Sequence, residues 1–198
     1  MAKRVFDLVL SAVGLLVLSP LLLLIAAWIK LDSPGPVFFR QERVGRHGRR
    51  FLIHKFRTMR HAPHEQGAQI TVGADTRITR AGQVLRRHKL DELPQLIDVL
   101  AGTMSLVGPR PEVPRYVALY PPELRDKVLS VRPGITDPAS IEFRDESDLL
   151  ACAGDPERAY IEQVMPAKLR SAADYVDRMS IRTDLRLIGL TLRRLLLR

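Results

Sequence analysis

Asp91 and Glu92 are adjacent carboxylates, followed by Leu93-Pro94 and preceded by Arg86, Arg87, His88 and Lys89. A carboxylate set among cations stays ionised. An ionised aspartate at the mouth of a cationic pocket can attack phosphorus and form an acyl-phosphate, and a helix N-terminus stabilises phosphate oxygens. The same tetrapeptide also makes a good helix start, with aspartate as N-cap, glutamate in the first turn and proline early. The spacing admits both readings.

Gly108-Pro109-Arg110-Pro111-Glu112 is a second landmark. Pro109 and Pro111 fix their own φ and bias Arg110 toward extended backbone. The resulting stiff loop aims a guanidinium suited to bidentate phosphate binding; a plain rigid connector is the alternative. Lys55-Phe56-Arg57-Thr58-Met59 is a third block, although a cationic strand end is ordinarily just solvated. No metal-ligand cluster of His and Cys is present, nor a Walker loop, dinucleotide fingerprint or serine elbow. His54, His61 and His64 read as surface residues.

These residues need elements to hold them. Val37 to Glu42 and Phe51 to Phe56 are apolar and aromatic runs around a Gly45 to Gly48 turn, which predicts a β-hairpin. His61 to Thr76 lacks periodicity and reads as a mobile polar loop. Thr79 can cap a helix over about Arg80 to His88, and a second helix is predicted over Glu92 to Ala101 with Gly102 past its end. Beyond Pro114 the signals are mostly helical, broken by prolines.

The strongest local signal is Leu8 to Ile29, uncharged and apolar apart from Ser11, Ser19, Gly14 and Pro20. It is long enough to span a bilayer. Yet both flanks are basic, with Lys3 and Arg4 before it and Lys30, Arg40 and Arg43 after, which places both ends on the cytoplasmic side. Ser19-Pro20 lies near the middle, leaving arms of about eleven residues, or roughly 17 Å each. That is half of a ~30 Å hydrocarbon core. A re-entrant helix-break-helix entering one leaflet satisfies length, charge and proline together. A straight signal anchor with a mild kink is the alternative, and a cleaved signal peptide lacks a clean cleavage site. Near the other terminus Ile181, Leu185, Ile188, Leu192 and Leu195 recur at helical spacing beside Arg182, Arg186 and Arg193. This reads as an in-plane interfacial helix or as a helix packed on the core.

At 198 residues, 46% hydrophobic and 27% charged, the chain is an ordered single domain rather than a disordered one. Cys152, alone, cannot form an internal disulfide. A net charge of +9 calls for a polyanionic partner: nucleic acid, an anionic membrane surface or a phosphate-bearing substrate. The fold class expected is α+β, mostly helical, with an anchor over 1–32 and a catalytic domain over 33–198 forming one structural unit with it.

Five blocks occur in order: Ser19-Pro20, Lys55-Phe56-Arg57-Thr58-Met59, Leu90 to Leu96, Gly108 to Glu112, and Arg132-Pro133-Gly134-Ile135-Thr136, followed by Tyr175, Ser180, Asp184 and Thr191. Together they resemble the bacterial sugar transferase family, the monotopic polyprenyl-phosphate phosphoglycosyl transferases, as a minimal catalytic unit. The resemblance implies an enzyme of the EC 2.7.8 type at the bacterial inner membrane, with a re-entrant anchor in one leaflet and its site on the cytoplasmic face. It implies that Asp91 attacks a UDP-sugar, releasing UMP, and that polyprenyl (undecaprenyl) phosphate then takes the phosphosugar. This would be a first membrane step of polysaccharide or glycoconjugate synthesis, such as exopolysaccharide or O-antigen. Glu92 would assist acid-base chemistry or metal positioning, Arg86 and Arg110 would hold phosphates within the frame of Pro109 and Pro111, and Lys55 would order the site. Mg²⁺, with Asp91 as its protein ligand, is implied as well. A homodimer would suit a short anchor, though no residue shows one. Asp137-Pro138-Ala139-Ser140-Ile141-Glu142-Phe143-Arg144 and His88-Lys89 depart from the common pattern and leave sugar identity and phosphate contacts open. The rival from another class is a membrane-tethered basic module binding nucleic acid or anionic lipid. Aromatics at 6% are few for stacking bases, so no nucleic acid partner is expected.

Overall fold

The structure, a computed structural model, describes residues 1–60, 75–143, 150 and 152–196. The expected polar loop falls outside these residues up to position 74, as does Arg144 at the end of the variant segment.

Helix α1 (Ala2–Asp32) holds the whole apolar run and is continuous through Pro20. Proline cannot donate to the carbonyl four residues back, that of Leu16. The Ser19 hydroxyl donates to that carbonyl instead, at 2.8 Å. Ser19-Pro20 is thus a repaired position within a continuous helix. By length and composition α1 could cross a membrane. Its side chains divide by face: Asp7, Ser11, Ile25 and Ile29 are buried, whereas Leu16, Val17, Leu23 and Leu24 are 68–76% exposed.

Both ends of α1 are fastened to the same body. Near its start, Lys3 donates to the Val107 carbonyl at 3.1 Å and to Asp184 Oδ2 at 2.5 Å. Asp7 accepts from Ser105 Oγ at 2.8 Å and from the Leu106 N–H at 3.2 Å. At its end, Asp32 accepts from the Ala81 N–H at 3.0 Å. Arg57, buried, donates to the carbonyls of Ser33 and Pro34 at 2.8 and 2.6 Å. A cation there complements the negative end of the helix dipole.

The predicted hairpin is present as β1 (Phe38–Val44) and β2 (Arg50–Phe56), antiparallel with Phe38 opposite Phe56. Helix α2 (Arg80–Arg87) starts at Thr79, whose side chain accepts from the Gly82 N–H at 3.0 Å. A Cβ at Gly82 would lie 2.0 Å from the Thr58 carbonyl oxygen, so only glycine lets α2 sit on the segment after β2. The predicted second helix is divided into a 3-10 turn at Leu90–Glu92 and α3 (Gln95–Ala101), with Gly102 at φ 87 ending it. Strand β3 (Ser105–Val107) and β4 (Gly134–Thr136) pair in parallel.

Short helices α4 (Pro114–Val117), α5 (Pro122–Val128), α6 (Pro138–Glu142) and α7 (Pro156–Ala159) follow, three of them on Pro-led first turns after extended caps. A π-turn at Tyr160–Val164 leads into α8 (Met165–Asp177), and α9 (Ile181–Leu196) comes last. The largest apolar cluster joins α8 to α4 and α5 through Leu169, Ala172, Tyr116 and Val128. A second joins α1 to the hairpin and α2 through Ile25, Ile29, Phe56 and Leu85. The architecture is mostly helical α+β, as expected.

The leucine stripe read along α9 is split. Asp184 and Leu187 are buried and Ile188 packs on Val107 and Tyr175, while Leu185 and Leu192 face outward. The inward face is fixed by polar groups: Tyr175 donates to Asp184 Oδ1 at 2.6 Å, and the Thr191 and Thr136 hydroxyls meet at 2.8 Å.

Candidate active site

Glu92 is the point at which three elements meet. It sits in the 3-10 turn, and its Oε1 accepts from Lys55 Nζ at 2.8 Å, at the end of β2. Arg110, in the loop after β3, closes on the same carboxylate with both terminal nitrogens, one on each oxygen. Burial works against this charge, yet the two cations outweigh it and hold Glu92 well below the ordinary carboxylate range. The carboxylate fastens the turn to its cationic neighbours.

Asp91, beside it, is the opposite case. It is buried, and its Oδ1 has no hydrogen-bond partner. It does not cap α3: the residue before that helix is Pro94, with no side-chain cap. Burial pushes the Asp91 carboxyl up, and the charge on Glu92 adds to the rise; Lys55, Lys89 and Arg86 pull against it. Desolvation sets the upward direction of the shift, against the pull of the neighbouring cations. An orphaned buried carboxylate oxygen costs free energy of about 1–3 kcal/mol, more for a charged group. Lys89, just before the turn, takes a left-handed conformation at φ 56, an uncommon state for a side chain of that size.

Arg86 ends α2 with its Nε donating to Thr58 Oγ1 at 2.9 Å, and its charge acts on Asp91. Arg110 is held from behind as well as in front. Its N–H donates to Asp137 Oδ2 at 3.2 Å. Pro109 and Pro111 on either side are held too, the Pro109 carbonyl by the Gly134 N–H at 3.0 Å and the Pro111 carbonyl by Arg43 at 3.1 Å. A Cβ on Gly134 would stand 2.1 Å from the Gly108 nitrogen, and one on Gly108 would stand 2.5 Å from the Arg132 carbonyl. The glycines of two separate sequence blocks therefore exist to let their backbones touch.

The structure thus brings Asp91, Glu92, Lys55, Arg86 and Arg110 to one place, with Pro109 and Pro111 framing the last. Ser19 and Pro20 belong to the anchor instead. A model of the family described as bacterial sugar transferase matches residues 1–198. The chain belongs to the bacterial sugar transferase family. It is 42% identical, over 98% of its length and 39% of the relative's, to the UDP-glucose:undecaprenyl-phosphate glucose-1-phosphate transferase of Xanthomonas campestris pv. campestris. It is 44% identical, over 70% of its length and 33% of the relative's, to the UDP-N-acetylgalactosamine-undecaprenyl-phosphate N-acetylgalactosaminephosphotransferase of Aeromonas hydrophila. The exopolysaccharide production protein PSS of Rhizobium leguminosarum bv. phaseoli is 42% identical over 94% of this chain and 90% of the relative. The chain spans about two fifths of the first of these relatives and a third of the second.

Several residues of this bacterial sugar transferase were missed by sequence reasoning. Glu112 accepts from Arg43 at 3.1 Å and from the Tyr160 hydroxyl at 2.5 Å, supporting the Pro109–Pro111 loop from below. Arg57 was read as part of a solvated strand end and is instead a buried clamp on the end of α1. His54 was read as a surface residue. Its ring Nδ1 lies 2.7 Å from Asp98 Oδ1 with the side chain only 20% exposed, because the adjacent N–H also binds that carboxylate. None of these partners lies near in sequence. His61 and His64 fall outside the described residues.

Among the described residues no group of three or more His, Cys, Asp or Glu could cage a metal ion. The donor set suits Mg²⁺ nonetheless. That ion is commonly held by one or two carboxylates, with substrate phosphates and water completing its shell. Asp91 Oδ1 is an unused carboxylate oxygen at the site.

Proposed function

We propose that this chain transfers a sugar-1-phosphate from a UDP-sugar to polyprenyl (undecaprenyl) phosphate through a phosphosugar carried on Asp91. The observation that carries this reading is the contrast at the dyad: Glu92 is saturated by cations while Asp91 keeps a buried oxygen with no partner. A nucleophile must be held without being quenched. The relatives named for UDP-sugar:undecaprenyl-phosphate transfer support the same chemistry.

In the first step a carboxylate oxygen of Asp91 attacks the β-phosphorus of the UDP-sugar. An aspartyl O–P bond forms, the bond to the bridging oxygen breaks, and UMP leaves with the electron pair. In the second step a phosphate oxygen of the polyprenyl phosphate attacks the same phosphorus. The aspartyl O–P bond breaks, the carboxylate is regenerated, and a polyprenyl diphosphate sugar departs. Arg110 and Arg86 supply positive charge where the phosphoryl oxygens gain negative charge. Lys55 and Arg110 keep Glu92 ionised and in place. Mg²⁺, held at Asp91 and by the substrate's phosphates, would neutralise phosphate charge.

The anchor supports this function. Lys3 and Asp7 at one end of α1, and Asp32 at the other, bind the same body. A helix crossing a ~30 Å hydrocarbon layer would carry one end to the far side. Entry and exit through one leaflet, with α1 bending at Pro20 where the backbone N–H is missing and the exposed middle around Leu16 to Leu24 buried in lipid, keeps all three contacts. The outward Leu185 and Leu192 of α9 then lie at the interface, and the site faces the cytoplasm at headgroup height. The basic-module reading loses ground, because Lys3, Arg43, Lys55, Arg57 and Arg110 direct their charge to internal partners.

The test is UMP release by detergent-purified protein from a panel of UDP-sugars, with and without polyprenyl phosphate and Mg²⁺. Release that needs lipid for turnover and disappears in Asp91→Asn is expected. Near-normal turnover by Asp91→Asn would remove Asp91 from the reaction.

A further inference from the structure

Thr58 lies across one face of α2 and is held at both ends of that helix. Its carbonyl accepts from the Thr79 N–H at 3.0 Å, at the helix start. Its hydroxyl accepts from Arg86 Nε at 2.9 Å, in the last turn. Gly82 lies between them, four residues before Arg86 and so on the same face. The missing side chain at Gly82, whose Cβ would meet the Thr58 carbonyl, lets Thr58 come close enough for its hydroxyl to reach Nε.

Thr58 is fixed from the other side as well. It is buried. Arg57, just before it, is clamped to the end of α1, and Met59, just after it, pairs with Ile78. The hydroxyl is therefore a rigid acceptor.

This bond leaves Arg86 employed differently from Arg110. Arg110 spends both terminal nitrogens on Glu92. Arg86 spends only Nε, and its two terminal nitrogens have no partner among the described residues. Of the charged groups around Arg86, Asp91 acts on it most strongly. Asp75, the other carboxylate that acts on it, is already taken by Arg77 at 2.6 Å. A guanidinium fixed at Nε keeps its planar fork in one orientation and offers two N–H groups to a phosphate.

We propose that Thr58 is a positioning residue for the transfer: by holding Nε it aims the free fork of Arg86 at the phosphoryl oxygens of the group that Asp91 attacks. The assignment rests on the transferase reading above. Thr58 touches no substrate and acts through Arg86. Without the hydroxyl the charge of Arg86 remains and still attracts phosphate, but its direction is lost. Charge that develops in the transition state is stabilised by groups already aimed at it. The loss therefore falls on kcat rather than on KM.

The test measures steady-state UMP release with polyprenyl phosphate and Mg²⁺ present. It compares wild type with Thr58→Val, Thr58→Ser and Thr58→Ala, and Arg86→Lys with and without Thr58→Val. Thr58→Val, which keeps the shape and removes the hydroxyl, is expected to lower kcat about tenfold, with KM for the UDP-sugar within about twofold. Thr58→Ser, which keeps the hydroxyl, is expected to retain about half of the wild-type kcat or more. Lysine has no second nitrogen for the hydroxyl to hold, so in the Arg86→Lys background Thr58→Val should cost less than about twofold.

If Thr58→Val melts early, Thr58→Ala against Thr58→Ser makes the same comparison. Wild-type kcat in Thr58→Val, a loss carried by KM alone, or a loss of equal size in both backgrounds would overturn the positioning role while leaving the transferase in place. A Thr58→Ser enzyme no faster than Thr58→Val would do the same. No UMP from any UDP-sugar with wild type would overturn the transferase reading and this one with it.

Discussion

Asp91 and Glu92 are neighbours in the chain and opposites in their surroundings: both Glu92 oxygens accept from Arg110, and Asp91 Oδ1 accepts from nothing. The Glu92 carboxyl is held below the ordinary range and the Asp91 carboxyl is pushed above it. Pairs of titratable groups whose environments separate their pKa values commonly divide the labour of catalysis.

This separation has opposite effects on stability. Asp91 has a raised folded pKa, so ionising it burdens the fold: the burden is absent below the ordinary value of 3.8 and grows as pH rises through the folded value. Asp91→Asn should therefore melt higher than wild type at pH 7, by about 2–4 °C for each kcal/mol relieved. The gap should close as pH falls toward 3.8. Glu92 works the other way: its contribution is present above the ordinary 4.5 and is lost as pH falls through its depressed folded value. Glu92→Gln leaves two cations without their partner and should cost about 3–5 kcal/mol at pH 7. Thermal melts from pH 3 to 7 check both signs.

Activity should follow Asp91. The nucleophile must be ionised, so kcat/KM for UMP release should fall on the acid side at a pH above that of an ordinary aspartate. Arg110→Lys keeps the charge and loses the two-pronged grip on Glu92; a drop in kcat/KM of about ten- to a hundredfold is expected. A steady-state pH profile of both proteins tests this.

Much of the site was legible in the sequence because its residues are contiguous. Asp91-Glu92 and Pro109-Arg110-Pro111 announce chemistry by type and spacing, and the hairpin announces itself by two aromatic runs around a glycine turn. What stayed hidden depends on distant partners. Lys3 and Asp184 meet across 181 positions, and Arg57 finds its carbonyls 23 and 24 positions away. The α9 stripe left two placements open because its inward face is selected by Asp184 and Thr191, polar residues that hydropathy places outside. The division of the second helix falls at Pro94, which has no N–H to join the turn to α3, while Lys89 at φ 56 separates that turn from α2.

Glycine substitutions should separate close approach from mere flexibility. Gly134→Ala forces a Cβ to 2.1 Å from the Gly108 nitrogen, so backbone must move. A loss of at least about 1–3 kcal/mol is expected, with a fall in activity as the Arg110 loop shifts. Gly189→Ala, within α9 and with nothing inside 4 Å, should instead stabilise by about 1 kcal/mol. Melting temperatures and UMP release of the two variants give the comparison.

The anchor makes its own forecast. Ser19→Ala should cost about 1 kcal/mol in wild type, because the Leu16 carbonyl loses its donor. In a Pro20→Leu background the backbone N–H returns and Ser19→Ala should cost close to nothing. In right-side-out vesicles of a Cys152→Ser background, cysteines placed at Ala2 and Pro36 should both be shielded from an impermeant thiol reagent until the membrane is opened. Labelling of one end alone would mean that α1 crosses the bilayer.

The most direct measurement is the intact mass of the protein after brief exposure to a UDP-sugar and Mg²⁺ with no lipid acceptor. The wild type should gain the mass of one phosphosugar, on the peptide containing Asp91, and lose it when polyprenyl phosphate is added; Asp91→Asn should gain nothing. UMP release with lipid acceptor present, but no adduct on Asp91 at any quench time in the absence of acceptor, would contradict transfer through this carboxylate.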